Sequence, residues 1–315
     1  MAEQVGEVRY HASRVCTWSP KALRIPPWSH PALVLETLSD SPFSMRVQRR
    51  ALDWRMARSD TDSSADLEAG PVRVAMWSGP RNLSTALMRS WGSRADTVVT
   101  DEPLYAVYLA GTGLDHPGRN DVLEAQPTDW PTATSRLAGP VPTGAGVWYQ
   151  KHMAHHLLPT VGREWLDHGF RHAFLIRDPA AVLVSLDRVT PNPTLTDTGL
   201  LQQAELFARV ADLEGEPPPV IDSADVLRDP EGTLRALCAA LEVAWDPAML
   251  SWAPGPRDTD GVWAPHWYRS VRASTGFGPP RPGPAAVPGR LQSVLKEAQP
   301  LYDTLSHHRL HAPAV

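Results

Sequence analysis

Residues 74–90 read VAMWSGPRNLSTALMRS, and this stretch decides the fold class. An apolar run ends in a turn at Gly79 and Pro80, and the apolar residues that follow, Leu83 and Leu87, have helical spacing. Glycine allows a sharp change of chain direction, and proline fixes φ near a turn value. The pattern predicts a buried strand, a tight turn and a helix whose free N–H groups face the turn.

The polar residues of this turn are suited to a phosphate or sulfate group. Arg81 offers a planar set of donors, and Ser84 and Thr85 fall in the first turn of the predicted helix, where the helix dipole favours an anion. The pattern GxxxxGK[ST] of nucleoside triphosphatases fits poorly, because its lysine is absent and Leu83 stands where a small residue is needed. An ordinary capped helix after a strand is the alternative interpretation.

Four further short apolar segments alternate with helical patterns along the chain. They predict an α/β fold with three layers, in which a parallel sheet carries helices on both faces. In such sheets ligands bind beyond the carboxyl ends of the strands. The segments are residues 97–101, 147–151, 172–176 and 218–222. Residues 111–146, by contrast, are predicted to be rich in loops and to form a lid.

Polar clusters follow two of these strands. Glu102 follows the second strand, and its carboxylate can act as a general base if burial raises its pKa, or else pair with Arg81. Lys151 and His152 end the third strand. His152 and His156 are four residues apart, which also suits a metal on a helix face, but no third ligand has supporting spacing. We therefore expect no metal.

A third cluster, RDPAAVLVSLDR at residues 177–188, follows the fourth strand. Asp178 and Pro179 are typical of the start of a helix. Arg177 then lies at the carboxyl end of the strand, and Ser185 lies about two helical turns further on. Taken alone, the cluster is better explained as a plain helix start with Ser185 facing solvent.

Length and composition bound the class of protein. The 315 residues suffice for a sizeable core, and a net charge of −5 gives no basic footprint for nucleic acid. No apolar run is long enough to cross a membrane, and the N-terminus lacks the apolar segment of a signal peptide. The two cysteines, Cys16 and Cys238, lack metal-ligand spacing. We expect a cytoplasmic protein with neither a nucleic-acid nor a membrane partner.

The chain changes character near residue 70. Residues 1–58 show no sustained periodicity, and SDTDSSADLEAG at residues 59–70 is small, acidic and polar, as flexible linkers are. We expect residues 1–70 to form a poorly ordered N-terminal extension and linker. Residues 71–315 are expected to form the α/β domain.

Together the clusters resemble the sulfotransferases that use 3'-phosphoadenosine 5'-phosphosulfate (PAPS). The 5'-phosphosulfate loop of that family reads Pro-Lys/Arg-Ser-Gly-Thr-Thr, and PRNLST at residues 80–85 is similar, with Asn82 and Leu83 in place of Ser-Gly. The family's 3'-phosphate motif has an arginine at a strand end and a serine eight residues later, as Arg177 and Ser185 stand here. The segments GPRNLSTA, DEPLYA and DGVWA look most like a bacterial sulfotransferase-like branch.

The resemblance, which covers about residues 72–250, implies a P-loop-like nucleotide-binding architecture. It implies transfer of a sulfuryl group from PAPS to a hydroxyl or amine of a small-molecule acceptor, without a metal. The implied donor-binding residues are Arg81, Asn82, Ser84, Thr85, Arg177 and Ser185, and Arg257 or Arg269 of the C-terminal tail is expected to join them.

The resemblance also implies a base at one of two strand ends, Glu102 or His152. His152 follows Lys151 by one residue where the family has two, which turns its side chain the other way, so we favour Glu102. Lys151 is expected to steady the bridging oxygen of the leaving phosphate. Two alternatives stay open: an ATP-dependent small-molecule kinase on the same scaffold, and a non-catalytic nucleotide-binding protein.

Overall fold

The computed structural model describes residues 70–280 and 286–311. The extension expected over residues 1–70 lies, except for Gly70, outside the described residues, so that expectation stays a prediction. No helix within the described ranges is both long and apolar enough to cross a membrane.

Five parallel strands form one sheet in the order β2-β3-β1-β4-β5. This arrangement confirms the predicted α/β fold with a parallel sheet. The last strand is shorter than predicted, because Pro217–Pro219 have no N–H group to donate to a neighbouring strand. The strands are β1 Val72–Ser78, β2 Thr97–Asp101, β3 Val147–Met153, β4 Phe170–Ile176 and β5 Val220–Asp222.

Helices cover both faces of this sheet. The α-helices of the described residues are α1 Ser84–Trp91, α2 Tyr105–Thr112, α3 Arg119–Ala125, α4 Trp130–Leu137, α5 Pro179–Leu186, α6 Leu195–Thr198, α7 Leu200–Glu214, α8 Ser223–Arg228, α9 Pro230–Ala240, α10 Ala264–Trp267, α11 Arg269–Arg272 and α12 Gln292–Ser306. Short 3-10 turns lie at Ala154–His156, Glu164–Asp167, Pro247–Leu250 and Gly289–Leu291.

The segment predicted to be rich in loops, residues 111–146, contains two of these helices, α3 and α4. The second begins at a side-chain cap, because Asp129 Oδ1 accepts a hydrogen bond from Thr132 N over 2.9 Å. The prediction of a loop-rich segment therefore holds only in part: loops make up more than half of it, but they separate short helices.

The central strand β1 is buried on both faces. Val74 and Met76 pack into a core with α1 and α9, whereas Ala75 and Trp77 pack into a second core with α7 and α12. Side chains alternate between the two faces of a strand. Neighbouring residues at a strand end therefore belong to different layers, and this determines which of the predicted site residues meet.

Strand order also fixes what surrounds the turn after β1. The last residue of β1, Ser78, pairs with Met153 of β3 on one side and with Leu175 of β4 on the other. The turn therefore lies between the carboxyl ends of two neighbouring strands, where parallel sheets bind ligands.

Candidate functional site

The turn after β1 has a backbone that few side chains tolerate. A Cβ atom at Gly79 would lie 2.3 Å from the carbonyl oxygen of Thr198, so only glycine fits there. Arg81 and Leu83 both have positive φ, 62° and 71°. Leu83 thus adopts, at the expense of strain, the left-handed conformation that glycine adopts without it.

Polar contacts fasten this turn to the sheet. Asn82 is buried, and its Nδ2 atom donates to the carbonyl oxygen of Leu175 at the end of β4 over 3.2 Å. Ser84 begins α1 and Thr85 follows it. Leu83 precedes α1 without a side-chain cap, so no side chain competes for the first N–H groups of the helix.

The two basic clusters predicted from separate strands meet at this turn. Arg81 Nε donates to Ser185 Oγ over 3.0 Å. Arg177 Nη1 donates to the backbone carbonyl oxygen of Arg81 over 2.6 Å. Two guanidinium groups, a hydroxyl and a helix N-terminus therefore share one surface at the carboxyl edge of the sheet.

A second cluster lies at the ends of β2 and β3, around the buried Lys151. Its Nζ atom donates to Asp101 Oδ1 over 2.9 Å, to Glu102 Oε1 over 2.5 Å and to the hydroxyl of Tyr268 over 2.9 Å. The side chain of Lys151 is 1% exposed. Burial lowers the pKa of Lys151, but the charges of Asp101 and Glu102 raise it by more, so its pKa lies well above the usual value and the lysine is a cation.

The C-terminal segment brings Tyr268 into this cluster. The tyrosine hydroxyl donates to Asp101 Oδ2 over 2.6 Å and accepts from Trp263 Nε1 over 3.1 Å. Gly261 N also donates to Asp101 Oδ2, over 3.1 Å. Burial and the charge of Asp101 raise the pKa of Tyr268, so the phenol keeps its proton.

The same segment is fastened to α1 by a buried ion pair. Arg89 of α1 and Asp260 lie 2.6 Å apart, with side chains 2% and 3% exposed. The helix that begins at the turn after β1 and the segment that carries Tyr268 are therefore joined directly.

Glu102 has a backbone conformation that is unusual for its residue type. Its φ is 38°, and such conformations cost about 1–3 kcal/mol and persist only where the surroundings hold them. Here Glu102 N donates to the carbonyl oxygen of Lys151 over 3.0 Å, and Gln126 Nε2 donates to the carbonyl oxygen of Glu102 over 3.1 Å. Burial raises the pKa of Glu102 and outweighs the opposing charge of Lys151.

The structure separates His152 from this cluster. Its ring stacks on Trp77 with a centroid distance of 4.4 Å, and Nε2 lies 3.2 Å from Gln150 Oε1. These contacts belong to the core on the other face of the sheet from Lys151. Burial lowers the pKa of His152 to about 3, as for a neutral histidine of the core. No three side chains of the types that ligate metals gather within the described ranges.

Arg257 is likewise distant from the turn after β1. Its Nη1 atom lies 3.5 Å from the carbonyl oxygen of Gly92, which follows the last residue of α1. A helix of eight residues is about 12 Å long, so this contact is one helix length away from Ser84. The structure does not bring Arg257 together with Arg177.

Asp101 and Tyr268 were not among the residues predicted for the site. Asp101 had a signal, because it ends a strand next to Glu102. Tyr268 had none, because 167 residues separate it from Asp101 in the chain.

The fold and the site define a parallel α/β protein in which a glycine turn after the central strand meets two arginines and a serine, and a buried lysine pairs with two carboxylates at the ends of neighbouring strands. The chain belongs to the sulfotransferase domain family, whose family model matches residues 72–309.

Two plant proteins from Arabidopsis thaliana are similar in sequence. Branched-chain-amino-acid aminotransferase-like protein 1 is 39% identical over 250 residues, which are 78% of this chain and 44% of that protein. Branched-chain-amino-acid aminotransferase-like protein 2 is 36% identical over 241 residues, 76% of this chain and 42% of that protein. The chain spans less than half the length of these relatives.

Two solved structures are also similar. The sulfotransferase domain from the curacin biosynthetic pathway has a TM-score of 0.43 and 16% identity, and covers 77% of this chain and 99% of that one. A sulfotransferase from Alicyclobacillus acidocaldarius has a TM-score of 0.45 and 14% identity, with 77% and 98% covered.

Proposed function

We propose that the protein is a sulfotransferase that takes the sulfuryl group of PAPS and passes it to a hydroxyl or amine of a small molecule. The observation that carries the proposal is the contact of Arg81 with Ser185, together with that of Arg177 with the backbone of Arg81. It joins a loop suited to the 5'-phosphosulfate to a pair suited to a second phosphate, and PAPS carries phosphate at both positions.

In this proposal the turn after β1 holds the reacting end of the donor. The guanidinium of Arg81 and the first N–H groups of α1, at Ser84 and Thr85, supply donors for the phosphosulfate oxygens. Asn82 acts through the backbone, because its side chain is used to fasten the turn to β4. Arg177 and Ser185 bind the 3'-phosphate.

Glu102 is the proposed general base. It takes the proton of the acceptor group while that oxygen or nitrogen attacks sulfur, and the bond from sulfur to the bridging oxygen breaks to release 3',5'-ADP. Its raised pKa brings it nearer to neutrality, where a base is most effective. His152 is left out of the proposal because it lies on the other face of the sheet, and Arg257 because it lies at the far end of α1.

A kinase is the less favoured reading. The turn after β1 has no lysine followed by serine or threonine, the residues that hold the phosphates and magnesium in that class. The aminotransferase in the names of the plant relatives is not carried over, because the match covers less than half of each of them.

Thermal shift measurements with three nucleotides test the proposal. At about 100 times Kd a ligand adds ~2.7 kcal/mol to the free energy of unfolding, which raises Tm by several degrees. We expect 3',5'-ADP to raise Tm and 5'-ADP to do so much less. A response to ATP with magnesium alone favours the kinase, and no response to any of the three favours a non-catalytic role.

A further inference from the structure

The three ammonium protons of Lys151 all have acceptors within the protein. They go to Asp101, Glu102 and Tyr268, at 2.9, 2.5 and 2.9 Å from Nζ. An ammonium group has three donors and no acceptor. Lys151 therefore has no proton left to donate to a bound nucleotide unless it breaks one of these contacts.

The two carboxylates that Lys151 contacts have different surroundings. Both oxygens of Asp101 already accept hydrogen bonds, because Oδ2 also accepts from the Tyr268 hydroxyl and from Gly261 N. Glu102 is held at Oε1 by Lys151, and its side chain is 12% exposed. Its other oxygen, Oε2, accepts no hydrogen bond from any residue in the described part of the chain. That oxygen is the one available to a ligand.

We propose that Lys151 is a positioning residue that acts through Glu102. Asp101 is the second carboxylate that pairs with the ammonium group, and the Tyr268 hydroxyl accepts the hydrogen bond of its third proton. This inference rests on the proposed function, in which Glu102 is the base. It reassigns Lys151 from the leaving phosphate to the orientation and charge of that base.

The charges around Glu102 make this role measurable. The titratable groups that face it are Lys151 of β3, Asp101 of β2, Tyr105 of α2 and Tyr268 before α11. His156, in the turn after β3, stacks on Tyr105 with a ring-centroid distance of 4.6 Å. Both tyrosines have raised pKa values through burial, so Lys151 and Asp101 are the charges that matter near neutral pH.

The test is a titration of the Glu102 carboxyl by carbon-13 NMR, with glutamate labelled at Cδ and the signal assigned by its loss in Glu102→Gln. Asp101→Asn removes the negative neighbour, so the pKa of Glu102 is expected to fall by about 1 or more. Lys151→Met removes the positive neighbour, so the pKa is expected to rise by about 1 or more. General damage to the fold gives no such pair of opposite shifts.

The double variant Asp101→Asn/Lys151→Met guards against loss of folding. It removes both charges together, so it leaves no buried Asp101 charge without a partner and is expected to fold even if Lys151→Met fails to fold. The pKa of Glu102 in the double variant is expected to return to within about 1 of the wild-type value. The matched control is Tyr302→Phe, which removes another hydroxyl that donates to a carboxylate at a strand end, Asp222, at 2.7 Å. It must leave Glu102 unchanged.

Shifts in the same direction, or none, overturn the inference. A second readout is the affinity for 3',5'-ADP, which Lys151→Met and the double variant are expected to change by less than about threefold, since the lysine does not contact the donor. A loss of more than tenfold in the double variant overturns it as well. The NMR titration uses no nucleotide, so it remains decisive if the protein fails to bind 3',5'-ADP and the proposed function falls.

Discussion

Arg81 Nε lies 3.0 Å from Ser185 Oγ, although 104 residues separate the two in the chain. Arg81 stands in the turn after β1, and Ser185 stands in the second turn of the helix after β4 (α5). They meet because β1 and β4 are neighbours in the sheet and both strands end at the same edge. The turn after β1 and helix α5, each of which alone is weak evidence for an anion site, thus form one continuous surface.

Replacement of Ser185 by alanine is expected to change nucleotide preference. A hydrogen bond to a charged group contributes about 1.5–3 kcal/mol, so Ser185→Ala is expected to weaken 3',5'-ADP binding about tenfold or more. Binding of 5'-ADP, which lacks the 3'-phosphate, is expected to stay the same. Calorimetric titration measures both affinities, with Thr190→Ala, an exposed hydroxyl just beyond α5, as control. An equal loss for both nucleotides contradicts the assignment.

Replacement of Glu102 by glutamine is expected to slow sulfuryl transfer without weakening donor binding. A general base contributes roughly 10²–10⁴ in rate, and glutamine keeps the size of the side chain but accepts no proton. Release of 3',5'-ADP from PAPS in a single turnover, with a small-molecule hydroxyl or amine added as the sulfuryl acceptor, measures the rate. The exposed Glu124, changed in the same way, serves as control. A loss of less than about tenfold for Glu102→Gln removes this residue as the base.

The hydroxyl of Tyr268 is expected to stabilise the fold more than that of Tyr302. Tyr268→Phe leaves Lys151, Asp101 and Trp263 each short of one buried partner, so we expect a loss of about 2–3 kcal/mol in the free energy of unfolding. Tyr302→Phe removes one contact with Asp222 and is expected to cost about 1 kcal/mol. Urea denaturation compares the two variants. Equal losses in the free energy of unfolding contradict the role of the Tyr268 hydroxyl as a partner of three buried groups.

His152 is expected to make stability depend on pH. Its pKa is about 3 in the folded protein and about 6.5 when unfolded, so the unfolded chain binds the extra proton between these values. Its contribution is therefore fully present above pH 6.5 and is lost as the pH falls. Relative to His152→Phe, wild type is expected to lose about 2 kcal/mol between pH 7 and 5.

The measurement is urea denaturation of both proteins at several pH values. Ile176→Val, a change in the same core at a side chain that is neither titratable nor stacked on a histidine ring, should show a difference from wild type that does not vary with pH. A constant difference for His152→Phe as well shows that the ring takes up its proton at the same pH in the folded and unfolded states, against its contacts with Trp77 and Gln150.

The parallel sheet and the position of Arg81 and Ser185 at its carboxyl edge were predictable from sequence because their signals are local. Buried parallel strands read as short apolar runs, and Gly79, Arg81 and Ser185 stand at fixed distances from such runs. The direction of His152 follows from the same logic, since side chains alternate along a strand and Lys151 precedes it by one residue.

The cluster around Lys151 was predictable only in part, because Tyr268 reaches it only through the tertiary fold. Tyr268 follows β5, several helices and an irregular segment before its hydroxyl reaches Asp101, and no periodicity or spacing encodes that route. The short helices within residues 111–146 were missed for a different reason. They are only seven and eight residues long, and the glycines and prolines between them dominate the pattern.

The last prediction concerns Leu83, whose φ of 71° reverses the usual order of glycine and alanine. Leu83→Gly and Leu83→Ala both remove the side chain, but only glycine adopts this backbone without strain. We therefore expect Leu83→Gly to be more stable than Leu83→Ala by about 1 kcal/mol in urea denaturation. Ala208→Gly, in the interior of α7, is the control and is expected to destabilise by about 1 kcal/mol. If alanine at position 83 matches or exceeds glycine, the left-handed turn is not the conformation of this loop in solution.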